Sequence, residues 1–306
     1  MSGVFLGTPA AAVPSLAAFA DVEDVDLVIT QPDRRSGRGG SKVPSPVKVA
    51  AQQFGFPIAQ PATAQELLAI IDQLRPTIGL VVAYGRLLAP ELLDLVPYGF
   101  LNVHFSLLPR WRGAAPVERA IAAGDLKTGV TLMKIDEGLD TGPILDEMAT
   151  PIGDDETGGS LTARLAFLGA ALVDRASPEY LNDRRRPVPQ LTTGGSHAAK
   201  LTKNAARLDP SWDPSQAERS IRAFEPRPGA WMQTPAGAIK VHKARPSDDD
   251  TDIGMVSVVD NAVLAGFAGG AIELLSVQPP GKGTVEARAW MNGRRAEPLS
   301  FGADDS

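Results

Sequence analysis

The chain of 306 residues contains no cysteine, which removes disulfides, thiolate nucleophiles and every cysteine-bearing zinc or iron–sulfur site. Histidine is almost as scarce. Three residues, at positions 104, 197 and 242 with no H-E-x-x-H pair, leave little from which to build a metal site. Long apolar runs are missing too, since none approaches the ~20 residues needed to span a bilayer. The one imitation is the uncharged start MSGVFLGTPAAAVPSLAAFA, which ends in Ala-Phe-Ala. It lacks the basic n-region of a signal peptide, and Pro9 and Pro14 would interrupt its apolar helix. It reads instead as a strand over Val4 to Leu6, a Gly7-Thr8-Pro9 turn and a helix through Leu16 and Phe19. A cytoplasmic protein with no membrane partner is the expectation.

An excess of positive charge is also lacking. Thirty Lys and Arg face 36 Asp and Glu, a net of −6 that discourages a polyanionic partner when taken whole. Its distribution reverses the inference. In the loop QPDRRSGRGGSKVPSPVK (31–48), Arg34, Arg35, Arg38, Lys42 and Lys48 face only Asp33, a net of +4. Between 182 and 207, Arg184, Arg185, Arg186, Lys200, Lys203 and Arg207 face only Asp183, a net of +5. The rest of the chain is therefore −15. Taken singly these are two solvated basic segments; together, on an acidic remainder, they favour a polyanionic partner.

What is present is a chain with 43% hydrophobic residues, enough to bury a substantial core. Up to about residue 181, strand patterns (4–6, 25–30, 56–58, 78–83, 100–103, 129–135) alternate with helix patterns (near 16–19, 47–54, 64–74, 90–95, 114–123, 160–180). The run Ile78-Gly79-Leu80-Val81-Val82-Ala83 is apolar on both faces, as a central parallel strand should be. This alternation predicts an α/β domain over 1–181 with a doubly wound, Rossmann-like, mostly parallel sheet. The Pro-, Gly- and Arg-rich stretch 182–207 reads as a linker. Beyond it, Asp213-Pro214 opens a helix to Phe224, and short strands at 229–234, 237–243, 254–259, 261–266 and 270–277 predict a small β-barrel over 208–306.

Ligands of open α/β sheets bind beyond the carboxyl ends of the strands. The strand 100–103 runs into Asn102, His104 and then Ser106-Leu107-Leu108-Pro109. Residues two apart in a strand share a face, so Asn102 and His104 can jointly polarise a carbonyl and manage a proton. The strand 129–135 ends in a glycine-flanked loop that could return Asp140 towards His104. The plainer alternatives are a hydrogen-bonded structural histidine and an aspartate that only shapes a turn. Ser106 sits in no G-x-S-x-G elbow, and GRGGSK at 37–42 matches neither the dinucleotide nor the Walker pattern.

NVHFSLLPRWRGAAPVERAI (102–121) and GLDTGPIL (138–145) resemble the folate-dependent formyltransferases. The likeness extends through GTP (7–9), TQPDRRSGRG…PSPVK (30–48), VVAYGRLLAP (81–90), KLTK (200–203), RAFEPRPGAW (222–231) and LLSVQPPGK (274–282), nearly the whole chain. The arginine-rich loop and the C-terminal region resemble those members that act on initiator methionyl-tRNA. The resemblance implies 10-formyltetrahydrofolate as formyl donor, no metal and a monomer. It implies Asn102, His104 and Asp140 as the catalytic trio. Ser106, Leu107, Leu108 and Pro109 would bind the folate, its pterin lying against Val82, Tyr84, Gly85, Leu87 and Leu139. Arg34, Arg35, Arg38, Lys42, Lys200 and Lys203 would meet tRNA, and the C-terminal domain would be an OB-like barrel. Departures from the family pattern are Ala10-Ala11-Ala12, where an acidic–aromatic pair is frequent, His197 in place of an aromatic, and a barrel with 10 basic and 14 acidic residues. Rival readings are another formyl acceptor (glycinamide ribonucleotide or a nucleotide-linked amino sugar) and a non-catalytic RNA-binding protein on the same scaffold.

Overall fold

A computed structural model describes residues 2–35 and 42–302. The chain divides into two compact units. The first comprises Met1–Gly113, Lys127–Pro151 and Thr162–Ala198, and the second Ala114–Leu126, Ile152–Leu161 and Ala199–Ser306.

The first unit is built on a seven-stranded sheet in the order Ile144–Pro151, Lys127–Lys134, Phe100–His104, Ile78–Val82, Ser2–Gly7, Asp24–Ile29 and Ile58–Ala59. The strands from Phe100–His104 to Ile58–Ala59 are mutually parallel. Every residue of Ile78–Val82 is buried, as its two-faced apolar run requires. Gly79 is obligatory there, because a Cβ would lie inside the Phe100 ring. Tyr84, Leu92, Val96 and Phe100 join Val4, Leu6, Ile29, Leu67, Ile71 and Val81 in one buried cluster.

The helices obey their local signals. Pro46–Phe54 starts with the Ser45 hydroxyl accepting the Lys48 amide and stops at Gly55 in the left-handed region (φ 79°). Ala64–Leu74 is capped by Thr63, which accepts the Glu66 amide, while Glu66 accepts the Ala62 amide.

Lys127–Lys134 departs from simple βαβ alternation, pairing antiparallel with both Phe100–His104 and Ile144–Pro151. A parallel return needs a crossover lying on the sheet. The helix available for one, Pro116–Ala123, belongs to the second unit. The partner strand Ile144–Pro151 escapes notice in the sequence because its charged, proline-ended run is a half-exposed edge. Behind the sheet, Gly169 of the helix Gly158–Leu181 approaches so closely that a Cβ would stand 2.6 Å from Val103. That contact seats the strand from the face opposite Asn102 and His104.

The second unit holds a curled antiparallel sheet in the order Ala230–Thr234, Gly237–Ser247, Gly270–Gln278, Ala262–Phe267, Met255–Val259, Leu299–Ser300, with Val285–Glu286 pairing to Gly270–Gln278. Bulges in Gly237–Ser247 supply curvature. The Val259–Ala262 hairpin turns on Asp260 and Asn261, both at positive φ, the geometry that matches strand twist. The helix Pro214–Phe224 begins as expected, with the Asp213 carboxylate accepting the Gln216 amide, and buries Ala217, Ile221 and Phe224. A helix at Ala287–Asn292 and the strand Leu299–Ser300 complete the unit and were not anticipated.

Candidate active site

The site forms at the carboxyl end of Phe100–His104. Asn102 pairs across the sheet with Met133 and His104 with Thr131, which places the two side chains on one face. His104 is 5% exposed. Its Nε2 lies 2.9 Å from the Trp111 carbonyl, and a carbonyl only accepts, so the ring carries its proton on Nε2. The Nδ1 atom then presents a lone pair and stands 3.6 Å from Asp140 Oδ2. Burial pulls the imidazole below its ordinary range, and the Asp140 charge and the Trp111 carbonyl oppose this without reversing it. The same balance favours the neutral imidazole.

The loop after the strand is folded to deliver that carbonyl. Thr131 Oγ1 donates to the Ser106 carbonyl (2.7 Å) and accepts the Leu108 amide (3.1 Å). Ser106 Oγ donates to the Arg110 carbonyl at 2.6 Å. Trp111 adopts φ 61°, its amide held by Ser196 Oγ at 2.9 Å. Gly113, at φ 115°, donates its amide to Asp140 Oδ2 at 2.8 Å. A Cβ on Gly113 would fall 2.8 Å from the Ala198 carbonyl, so glycine is required twice over. Asp140 itself sits at φ 53°, and Gln190 Nε2 donates to the carbonyls of Asp140 and Gly142, both at 2.8 Å. Among the described residues nothing hydrogen-bonds the half-buried Asn102 amide. The arrangement thus offers one uncommitted amide donor beside an imidazole lone pair and a carboxylate. That combination can stabilise a developing oxyanion and accept a proton.

Residues 10–176 match the family described as Formyl transferase, and residues 200–295 match Formyl transferase, C-terminal domain. The methionyl-tRNA formyltransferase of Halorhodospira halophila (strain DSM 244 / SL1) is 45% identical over 301 residues, 96% of this chain and 97% of that protein. That of Myxococcus xanthus (strain DK1622) is 41% identical over 301 residues, 97% of this chain and 96% of that protein. The chain belongs to the methionyl-tRNA formyltransferase family.

Solved structures share the fold at lower identity. The N-formyltransferase of Helicobacter canadensis, solved with folinic acid and dTDP-3-aminofucose, superposes with a TM-score of 0.67 at 18% identity, over 90% of this chain and 98% of that one. HypX of Aquifex aeolicus, solved with tetrahydrofolic acid, gives 0.66 at 16%, over 95% of this chain and 47% of that one.

The residues expected to line a folate site fall into two groups. Ser106 and Leu108 are buried, Leu107 packs on Gly129, and Pro109 lines a cleft of about 510 Å³ together with Arg112, Thr141, Pro143 and Gln190. Val82 is buried, as is Tyr84, whose hydroxyl finds no partner among the described residues. Gly85 turns the chain at φ 86°. Leu87 and Leu139, by contrast, are 79% and 45% exposed.

Of the basic residues, Arg34 and Lys42 are exposed on the paired segments Arg34–Arg35 and Lys42–Val43, while Arg38 lies outside the described residues. Lys48 is committed inward, to Asp33 at 2.7 Å and Gln60 at 2.8 Å, and Gln60 also donates to the Gln31 carbonyl. The Lys48 and Gln60 hydrogen bonds hold the Asp33 carboxyl below its usual range. Lys200 and Lys203 are exposed in the second unit, where Lys203 Nζ stands 5.2 Å from the Trp231 ring centre.

Thr131, Ser196 and Gln190 were missed by sequence reasoning. Each works through hydrogen bonds across a fold-made contact, and nothing in the local pattern marks them.

Proposed function

We propose that this chain transfers the formyl group of 10-formyltetrahydrofolate to the α-amino group of methionine on initiator methionyl-tRNA. Two methionyl-tRNA formyltransferases at 41–45% identity over nearly their full length support the reaction and its acceptor. A structural neighbour solved with tetrahydrofolic acid supports a folate-derived donor. The observation that carries the chemistry is the placing of a free amide, Asn102, on the same strand face as a buried neutral His104 whose Nδ1 stands 3.6 Å from Asp140.

When bound, the donor supplies the formyl carbon as electrophile. Asn102 Nδ2 donates towards an oxygen gaining negative charge. His104 differs from the expectation of a second oxyanion donor, because its only N–H is given to Trp111. It serves instead as acceptor: Nδ1 takes the proton shed by the amine as that nitrogen bonds to the formyl carbon, and returns it to the folate nitrogen as the old carbon–nitrogen bond breaks. Between the two steps the imidazolium is held from both sides, by the Trp111 carbonyl and the Asp140 carboxylate. A positioned base of this kind contributes ~10²–10⁴-fold.

Arg34, Arg35, Arg38 and Lys42 on the loop, with Lys200 and Lys203, would contact tRNA phosphates as point charges. We read the curled sheet of the second unit as an OB-like tRNA-binding module, and the enzyme as a cytoplasmic monomer. Among the described residues no helix is long and apolar enough to cross a membrane. The deciding assay offers 10-formyltetrahydrofolate with methionyl-tRNA, glycinamide ribonucleotide or a sugar-nucleotide amine. Formylation of methionyl-tRNA alone is expected, and formylation of either small amine in preference to it would refute the assignment.

A further inference from the structure

We propose that Gln190, oriented by Arg112, is a positioning residue that acts through Asp140; this rests on the catalytic reading of Asp140 given above. Val188 and Ile144 exchange backbone hydrogen bonds in both directions at 2.7 Å, an isolated antiparallel bridge. Two residues further along each strand, the same register would bring Gln190 opposite Gly142. There the ladder is replaced by a side chain: Gln190 Nε2 donates to both the Gly142 and the Asp140 carbonyls at 2.8 Å. The amide can face only that way, because the Arg112 guanidinium donates to its Oε1 from Nε (3.0 Å) and from Nη2 (2.5 Å).

Asp140 needs such a clamp. It holds φ 53°, a left-handed conformation that non-glycine residues rarely keep unaided. Among the described residues its carboxylate accepts one hydrogen bond, from the amide of Gly113, which adjoins Arg112. Backbone and head of Asp140 are therefore both tied to the segment 112–113, the first through Gln190 and the second directly. The Asp140–His104 separation is set by that pair of ties.

The test is a double-mutant cycle in the full chain, with steady-state formylation of methionyl-tRNA as readout. Gln190→Met keeps the side-chain length and removes both hydrogen-bonding atoms, Oε1 and Nε2. It is expected to lower kcat ~10- to 100-fold, the scale of a catalytic group displaced by about an ångström. KM for both substrates should stay within about twofold. In the Asp140→Asn background the same change should cost nothing further. The acid limb of the pH–rate profile should move down, as in Asp140→Asn, because His104 loses the charge that supports its protonated form. Arg112→Lys, which keeps a cation for Oε1, should fall between wild type and Arg112→Met. If Gln190→Met does not fold, Gln190→Glu carries the test, since it keeps the Arg112 pair but turns an acceptor on the two carbonyls.

Equal losses in the Asp140 and Asp140→Asn backgrounds, or an unmoved pH profile, would overturn the clamp and leave Gln190 a structural tie. A wild-type rate for Asp140→Asn alone would overturn the catalytic reading itself. The two failures are thus told apart by different variants.

Discussion

His104 Nδ1 stands 3.6 Å from Asp140 Oδ2, beyond hydrogen-bond reach yet close enough for the carboxylate to favour a proton on the ring. Desolvation is the larger effect, so the imidazole titrates below its ordinary range. Activity that needs the neutral ring should rise as pH climbs through that lowered value, so the midpoint of the acid limb lies below the unperturbed imidazole pKa of ~6.5. Stability follows the same sign. The unfolded chain takes up the proton first, so the contribution of this histidine is intact above the unperturbed value and is lost as pH falls below it. A kcat/KM profile whose acid limb lies above pH ~6.5 would contradict the buried neutral base.

Asn102→Ala isolates the oxyanion donor. Because no described residue hydrogen-bonds this amide, its removal leaves no orphaned partner behind. Stability should stay within ~0.5 kcal/mol of wild type, as for substitutions that break no packing or polar network. The rate should drop ~10²–10³-fold, the usual consequence of losing one oxyanion donor. Chemical denaturation and single-turnover formylation measure the two separately. A large stability loss with a small kinetic one would make Asn102 a structural residue.

How the sequence yields the fold is clear in the parts governed by local rules. The buried run 78–82, the Ser45 and Asp213 caps and the short C-terminal strands all carry their signal within a few residues. The pairing of Asn102 with His104 follows from strand period alone. What stayed hidden depends on contacts between distant segments. The antiparallel direction of Lys127–Lys134 is decided by where the helix Pro116–Ala123 goes, not by the strand's own composition. Likewise Gln190, in a stretch rich in proline, glycine and arginine, has the look of tether sequence. Its role exists only because Val188 bridges to Ile144. The histidine's proton is equally illegible, since it is assigned by a Trp111 carbonyl turned inward at φ 61°.

Gly113→Ala should injure both stability and rate. The position demands φ 115°, and a Cβ would stand 2.8 Å from the Ala198 carbonyl and 2.9 Å from the His197 ring. Backbone strain of this kind costs ~1–3 kcal/mol. Any relief moves the amide that holds Asp140 Oδ2. A lowered unfolding midpoint with a reduced kcat and an unchanged donor KM is expected. An alanine variant with wild-type values for both would show that the loop tolerates a different path.

Charge reversal at Arg34 and Lys42, set against neutralisation of Lys48, separates loops that bind from loops that are merely basic. Arg34 and Lys42 are exposed, and the segments that carry them pair with one another. Lys48 contributes formally to the same +4 segment, yet its ammonium is bound to Asp33 and Gln60. Each phosphate contact removed lowers the slope of log affinity against log salt by ~0.7–0.9. The Arg34→Glu, Lys42→Glu double variant should therefore weaken methionyl-tRNA binding most at low salt and flatten its salt dependence by nearly two contacts. Lys48→Met should leave the slope unchanged and act through the fold, because it strips Asp33 of the partner that holds its carboxyl down and leaves Gln60 Oε1 without its donor. Binding measured from low to moderate salt distinguishes the two, and equal slopes for wild type and the double variant would remove Arg34 and Lys42 from the tRNA surface.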